Sequence, residues 1–311
     1  MDVHATGDIL NNTKRPLSER FRALFMLKNA GNDDAVREIA RCFVDVSDLL
    51  NHELAYCLGQ MRNQTAIPKL TEILENCKLA PILRHEAAEA LGAIGSKESL
   101  PVLKKYTTDS VQEVAETCEL AVAQIQWLHN DQLQQEEGTL HSNPFSSVDP
   151  APAGSAQVTN TETLRRVLVD ETQPLFERYR AMFSLRNLNS AAAALCLAEG
   201  LKCGDSALFR HEVAYVLGQM QNDAVVPRLS ECLSNREENC MVRHECAEAL
   251  GSIASDDCVD ILRQFLNDKD EVVRESCEVA LDMYKHETSG DLNYEVNIET
   301  WTLQISTSVV W

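Results

Sequence analysis

The 311-residue sequence predicts an all-α solenoid of short helical hairpins, built as two pseudo-symmetric halves of four repeats each. Three observations carry that prediction. Apolar residues return with a helical period along most of the chain, and the connections between periodic stretches are only a few residues long. The run Leu83-Arg84-His85-Glu86-Ala87-Ala88-Glu89-Ala90-Leu91-Gly92 returns as Val242-Arg243-His244-Glu245-Cys246-Ala247-Glu248-Ala249-Leu250-Gly251, and related runs begin at His52-Glu53 and His211-Glu212. The offsets are regular: 33 residues from His52 to His85 and from His211 to His244, and 159 from each motif of one half to its copy in the other. A repeat of about thirty residues made of two helices and a tight turn stacks into a solenoid, because one hairpin cannot bury its apolar face alone.

Residues 1–16 are polar, poorly patterned and closed by Pro16, and read as a flexible N-terminus. The N-terminal half spans 17–128. Its first helix carries Leu17, Phe21, Leu24, Phe25 and Leu27 on one face and breaks at Gly31-Asn32-Asp33. Val36, Ile39, Ala40 and Phe43 mark a partner, and helices follow near 47–61, 65–76, 81–95, 97–106 and 110–128. Residues 129–161 lose the period and gather Pro, Gly and Ser, which predicts a flexible linker. The C-terminal half, 162–286, repeats the first, as Leu175-Phe176-Glu177-Arg178-Tyr179-Arg180-Ala181-Met182-Phe183 echoes Leu17-Ser18-Glu19-Arg20-Phe21-Arg22-Ala23-Leu24-Phe25. The stretch 287–311 drops the repeat and reads as a disordered or loosely docked tail, despite the alternation of Trp301, Leu303, Ile305 and Val309.

Composition narrows the function. A formal net charge of -20 speaks against nucleic acid and for a basic partner. The eleven cysteines contain no C-x-x-C pair and read as small buried thiols in a reducing compartment. With no apolar run of membrane length and no signal-like N-terminus, a cytoplasmic protein without a membrane partner is expected.

The chemistry sits in the histidines. Four of the eight stand directly before a glutamate: His52-Glu53, His85-Glu86, His211-Glu212 and His244-Glu245. On a helical wheel with Leu83 at zero, the apolar Ala87, Ala90, Leu91 and Ile94 form the core stripe, while His85, Glu86 and Glu89 fall about 200° to 300° round, on an open polar band. One such pair is most often a solvated helix face. Four at duplicated offsets are better read as ligands, and they would converge if the two halves face each other. Glu89 and Glu248, four residues after their histidines, and Tyr56 and Tyr215 in the same place elsewhere, read as packing or supporting groups. These positions also exclude the zinc-protease pattern H-E-x-x-H. Two histidines and a carboxylate per metal, with positions left open, suit two metals that could activate dioxygen if iron, or water if zinc or manganese. A metal-free adaptor solenoid is the remaining alternative.

Two halves of HEAT-like repeats with R-H-E-x-A-E-A-L-G and H-E-x-A-Y-x-L-G-Q-M contexts closely resemble deoxyhypusine hydroxylase over about residues 15–285. The resemblance implies a monooxygenase that uses dioxygen and an electron donor to convert the deoxyhypusine residue of eukaryotic translation factor 5A to hypusine. It implies two Fe(2+) ions per chain, held by His52, Glu53, His85, Glu86, His211, Glu212, His244 and Glu245, in a monomer. Within that set Glu86 and Glu245 look like the carboxylate ligands proper, and Glu53 and Glu212 like groups that hold the substrate's amines while remaining possible iron ligands.

Overall fold

The computed structural model describes residues 1–43, 45–204 and 206–289 and divides the chain into two compact units. The first comprises residues 1–136 with 148–151, and the second residues 137–147 with 152 onward. Each holds four helical hairpins.

In the first unit the hairpins are α1 (Val3–Leu10) with α2 (Leu17–Ala30), α3 (Asp33–Cys42) with α4 (Asp48–Met61), α5 (Ile67–Glu75) with α6 (Pro81–Ile94), and α7 (Leu100–Tyr106) with α8 (Gln112–Leu128). A short α9 (Asp131–Glu137) follows. In the second they are α10 (Thr161–Val169) with α11 (Leu175–Leu188), α12 (Ala191–Ala198) with α13 (Ala207–Met220), α14 (Val226–Ser234) with α15 (Cys240–Ile253), and α16 (Asp256–Arg263) with α17 (Glu271–Ser289). The second helices of successive hairpins pack side by side, α2, α4, α6 and α8 in one unit and α11, α13, α15 and α17 in the other.

Local chemistry sets the helix ends. Asn32, Ser47, Ser190, Ser206 and Ser255 cap α3, α4, α12, α13 and α16 by accepting a backbone N–H of the first turn. The recurring Gly59, Gly92, Gly218 and Gly251 lie where second helices touch: a Cβ on Gly59 would come within 2.8 Å of the Ala90 Cα, and one on Gly218 within 2.9 Å of the Ala249 Cα. Only hydrogen at these positions lets α4 meet α6, and α13 meet α15, backbone to backbone.

A buried arginine binds each hairpin together. Arg20, Arg84, Arg178 and Arg243 each donate Nε to the carbonyl of the leucine ten residues earlier, Leu10, Leu74, Leu168 and Leu233, at 2.8 to 3.1 Å. These carbonyls close the first helix of the hairpin and lack a partner within it. The guanidinium then reaches an aspartate 25 residues on: Arg20 to Asp45, Arg84 to Asp109 and Arg243 to Asp268, each at 2.6 Å.

The N-terminus corrects the expectation of a flexible 1–16. Asp2 caps α1 by accepting from His4 N and Ala5 N, and Leu10 is fully buried. The helix completes the first hairpin, but its inward face is Thr6, Gly7 and Leu10, too weakly apolar to register as a period. The expected linker 129–161 is also structured. In the first unit Gln60 grips the Val148 backbone with both ends of its amide, at 3.1 and 2.8 Å, and Ala151 is fully buried. In the second, Leu140 and Ser155 form an isolated antiparallel bridge, and Gly154 N donates to the Ser184 hydroxyl at 2.8 Å. The loop's order comes from side chains on the repeats, which no periodicity within the loop could announce. Of the expected tail, α17 includes 287–289, and the remainder lies outside the described residues.

Candidate metal centre

The four His-Glu pairs sit in the middle of α4, α6, α13 and α15. The residue before each histidine is pinned. Asn51 exchanges hydrogen bonds with the Asp45 backbone, Arg84 and Arg243 are the hairpin-binding arginines, and Arg210 pairs with Glu238 at 2.7 Å. Each imidazole therefore starts from a helix turn that is fixed on its opposite face.

The open polar band expected from the wheel is not what the fold makes of these residues. His52, Glu53, His85, Glu86, His211, Glu212, His244 and Glu245 are all buried, none more than 4% exposed. A wheel locates the stripe beneath a single helix but not the side-by-side contact between second helices. Across that contact the His52 and His85 rings lie 5.6 Å apart, and the His211 and His244 rings 5.3 Å apart.

Each unit brings its own set together. In the first, His52 Nε2 lies 3.0 Å from Glu86 Oε2, so the carboxylate of the second motif reaches the imidazole of the first. The same cross-contact in the second unit joins His211 Nε2 to Glu245 Oε2 at 3.2 Å. Ligand-type atoms of His211, His244 and Glu245 all fall within 4.8 Å of one another, as do those of His85, Glu86 and Glu89. Glu53 and Glu212 are buried on the same helices but belong to neither trio. Glu248 approaches His244 Nδ1 at 3.5 Å and accepts from the Ser276 hydroxyl at 3.0 Å.

The donor set fits a metal. Imidazole nitrogen with carboxylate oxygen and no thiolate is the chemistry that holds non-haem iron, and it also accepts manganese or zinc. Electrostatics agree: burial, then the charges of Glu86 and Asp149, push the Glu89 carboxyl well above the usual carboxylate range. Carboxylates gathered out of water destabilise one another's charge, and a cation among them reverses that. All eleven cysteines are free thiols; burial pushes Cys118 and Cys277 up to about 12, which leaves them protonated and inert.

Known proteins carry the same layout. Residues 47–123 and 234–292 match the family of HEAT repeats, and 209–235 the PBS lyase HEAT-like repeat. Deoxyhypusine hydroxylase of Danio rerio is 55% identical over 293 residues, covering 94% of this chain and 95% of the relative. That of Homo sapiens is 54% identical, with 96% of both chains covered. The chain belongs to the deoxyhypusine hydroxylase family. That of Drosophila melanogaster is 52% identical, with 94% of each covered. The solved structure of human deoxyhypusine hydroxylase in complex with glycerol matches with a TM-score of 0.86 and 55% identity, over 92% of this chain and 96% of that one. The family's fold is the all-α repeat solenoid expected from the sequence, and a metal-free adaptor is not what its members are named for.

Several site residues escaped the sequence reading. The anchors Asn51, Arg84, Arg210 and Arg243 all stand one place before a histidine, a regularity visible in the sequence whose meaning is not. Gln60 and Gln219, also 159 residues apart, were legible as repeat identities but not as the hydrogen-bonding groups they are.

Proposed function

We propose that this chain is a deoxyhypusine monooxygenase, acting in the cytoplasm as a monomer on the deoxyhypusine residue of eukaryotic translation factor 5A, with dioxygen and an electron donor. The observation that carries this reading is the duplicated, buried contact of His52 with Glu86 and of His211 with Glu245. A repeat scaffold has no use for the same imidazole-carboxylate contact in both halves, whereas a centre of two metals needs one set for each.

His52, His85 and Glu86 from one half, and His211, His244 and Glu245 from the other, would hold two Fe(2+) ions, with Glu53 and Glu212 as further ligands or as amine-binding groups. When bound, the irons supply the activation of dioxygen that hydroxylation of an unactivated carbon requires. The remaining work falls to the chain. The imidazoles stay neutral so that their nitrogens can bind metal. Glu53 and Glu212 pair with the protonated amines of the substrate's polyamine-like side chain and hold it extended, so that one carbon is presented to the centre. Burial of all eight residues keeps bulk water from the reacting carbon. The net charge of -20 draws in the basic surface of a protein substrate.

Metal analysis of the purified chain alongside His85→Ala and His244→Ala tests the reading. The parent should carry two irons, and each variant should lose metal and more than about a hundredfold in activity while keeping its helical circular dichroism. A parent purified without metal, or variants that keep full activity, would sink the proposal.

A further inference from the structure

Tyr56 and Tyr215 occupy matching places in the two halves, one helical turn after His52 and His211 and on the same helix face. Nothing in the mechanism above uses either, yet the structure treats them differently. In the second unit Gln219 Nε2 lies 2.9 Å from the Tyr215 hydroxyl, and Gln219 Oε1 lies 2.8 Å from Arg186 Nη1. Arginine can only donate, so the oxygen of the Gln219 amide must face Arg186 and its NH2 must face the tyrosine. The Tyr215 oxygen is therefore an acceptor in this bond, and its own proton points to a different acceptor. Arg186 cannot turn away to release the chain: it is fully buried, with its guanidinium 4.8 Å from the Phe183 ring and 4.9 Å from the Phe145 ring, and it donates to the Ser147 hydroxyl at 3.1 Å.

The first half has the same positions with other contents. Lys28 takes the place of Arg186 and lies over the Phe25 and Tyr56 rings at 5.1 and 5.7 Å, while Gln60, the counterpart of Gln219, engages the Val148 backbone with both ends of its amide. Only the second half, then, has a glutamine that sets the direction of a tyrosine proton.

We propose that Tyr215 is an oriented hydrogen-bond donor of the C-terminal metal site, set by Gln219 and Arg186 to give its proton to a small exogenous ligand taken up beside His211 and Glu245. The ligand class is a compact oxygen or nitrogen donor carrying negative charge, and Tyr56 has no such role. This rests on the di-iron reading and goes beyond it by making the two chemically duplicated halves unequal. An unequal centre takes up its ligand in one orientation, which an asymmetric reaction on a single carbon needs.

Azide serves as the probe. Iron-loaded, oxidised parent protein, Tyr215→Phe and Tyr56→Phe are titrated with azide and followed by absorbance, with iron measured on the same samples. Loss of one directed hydrogen bond should weaken azide binding about tenfold in Tyr215→Phe, while Tyr56→Phe stays within about twofold of the parent. Gln219→Glu provides a second route that leaves the phenol ring in place. The new carboxylate accepts from both Arg186 and Tyr215, turns the tyrosine proton away from the site, and should weaken azide to a similar degree. Azide affinity at the parent level in either Tyr215→Phe or Gln219→Glu, with iron retained, would overturn the proposal, as would an equal loss in Tyr56→Phe. Loss of iron from both Tyr215→Phe and Gln219→Glu would also overturn it, by making the network a support of the ligands. Absence of iron from the parent is a separate outcome that removes the di-iron reading beneath it.

Discussion

A glutamate and the histidine before it do different work in this fold, and the difference is set by where the helix turns each one. His52 and His85 face each other across the contact of α4 and α6, and Glu86 joins them at 3.0 Å, while Glu53 stays outside the trio on its own helix. Glu53→Ala should therefore raise the KM for the protein substrate about tenfold or more, as expected for loss of one charge-assisted bond, and leave iron content unchanged. Measuring both on one preparation decides it, and complete loss of iron would make Glu53 a ligand instead. The identity of the eight candidate residues was legible at this scale, because duplication marks them. Their burial was not, since the wheel reads one helix and the cover comes from its neighbours.

Between elements, the arginine-aspartate pairs link one hairpin to the next. Asp268 is held below the usual carboxylate range chiefly by its hydrogen bond to Arg243, with burial opposing, and Asp109 is held there by Arg84 in the same way. A carboxyl whose folded value is depressed contributes stability that is complete above its unfolded value, about 3.9, and is lost as pH falls through the folded value below that. Asp268→Ala should cost about 3 kcal/mol at neutral pH, because it leaves the Arg243 guanidinium buried and unmatched. It should also flatten the acid limb of the stability curve. Urea midpoints recorded from pH 6 to pH 3 compare the two proteins; curves that fall in parallel would show that the pair contributes nothing to acid sensitivity. The hairpin boundaries themselves were open to sequence reasoning through caps, glycines and period. Both misread segments, 1–16 and 129–161, are held by partners distant in sequence. Gln60 to Val148 is an example, a bond between residues 88 apart that neither local pattern contains.

For the whole molecule, charge and repetition are the two legible properties. Repetition predicted two halves of four hairpins, and the hairpins are there in each unit. A net charge of -20 predicts a productive encounter with a basic protein surface that weakens as salt screens it. Raising ionic strength from about 0.05 to 0.5 M should raise the KM for the protein substrate several-fold with little change in kcat, and a KM indifferent to salt would remove the electrostatic account. What the sequence alone left open was the metal and the reaction, because imidazole and carboxylate donors serve oxidation and hydrolysis alike. Kinship with deoxyhypusine hydroxylases separates the two.

The most direct test of that separation follows the oxygen atom. Iron-loaded protein is incubated with a reductant, the deoxyhypusine form of the substrate protein and isotopically labelled dioxygen, and the target residue is examined by mass spectrometry. Gain of one labelled oxygen on that residue, absent after chelation and absent from His244→Ala, is the result expected. An unmodified residue under these conditions, or an oxygen drawn from water, would contradict the assignment of this chain as a monooxygenase.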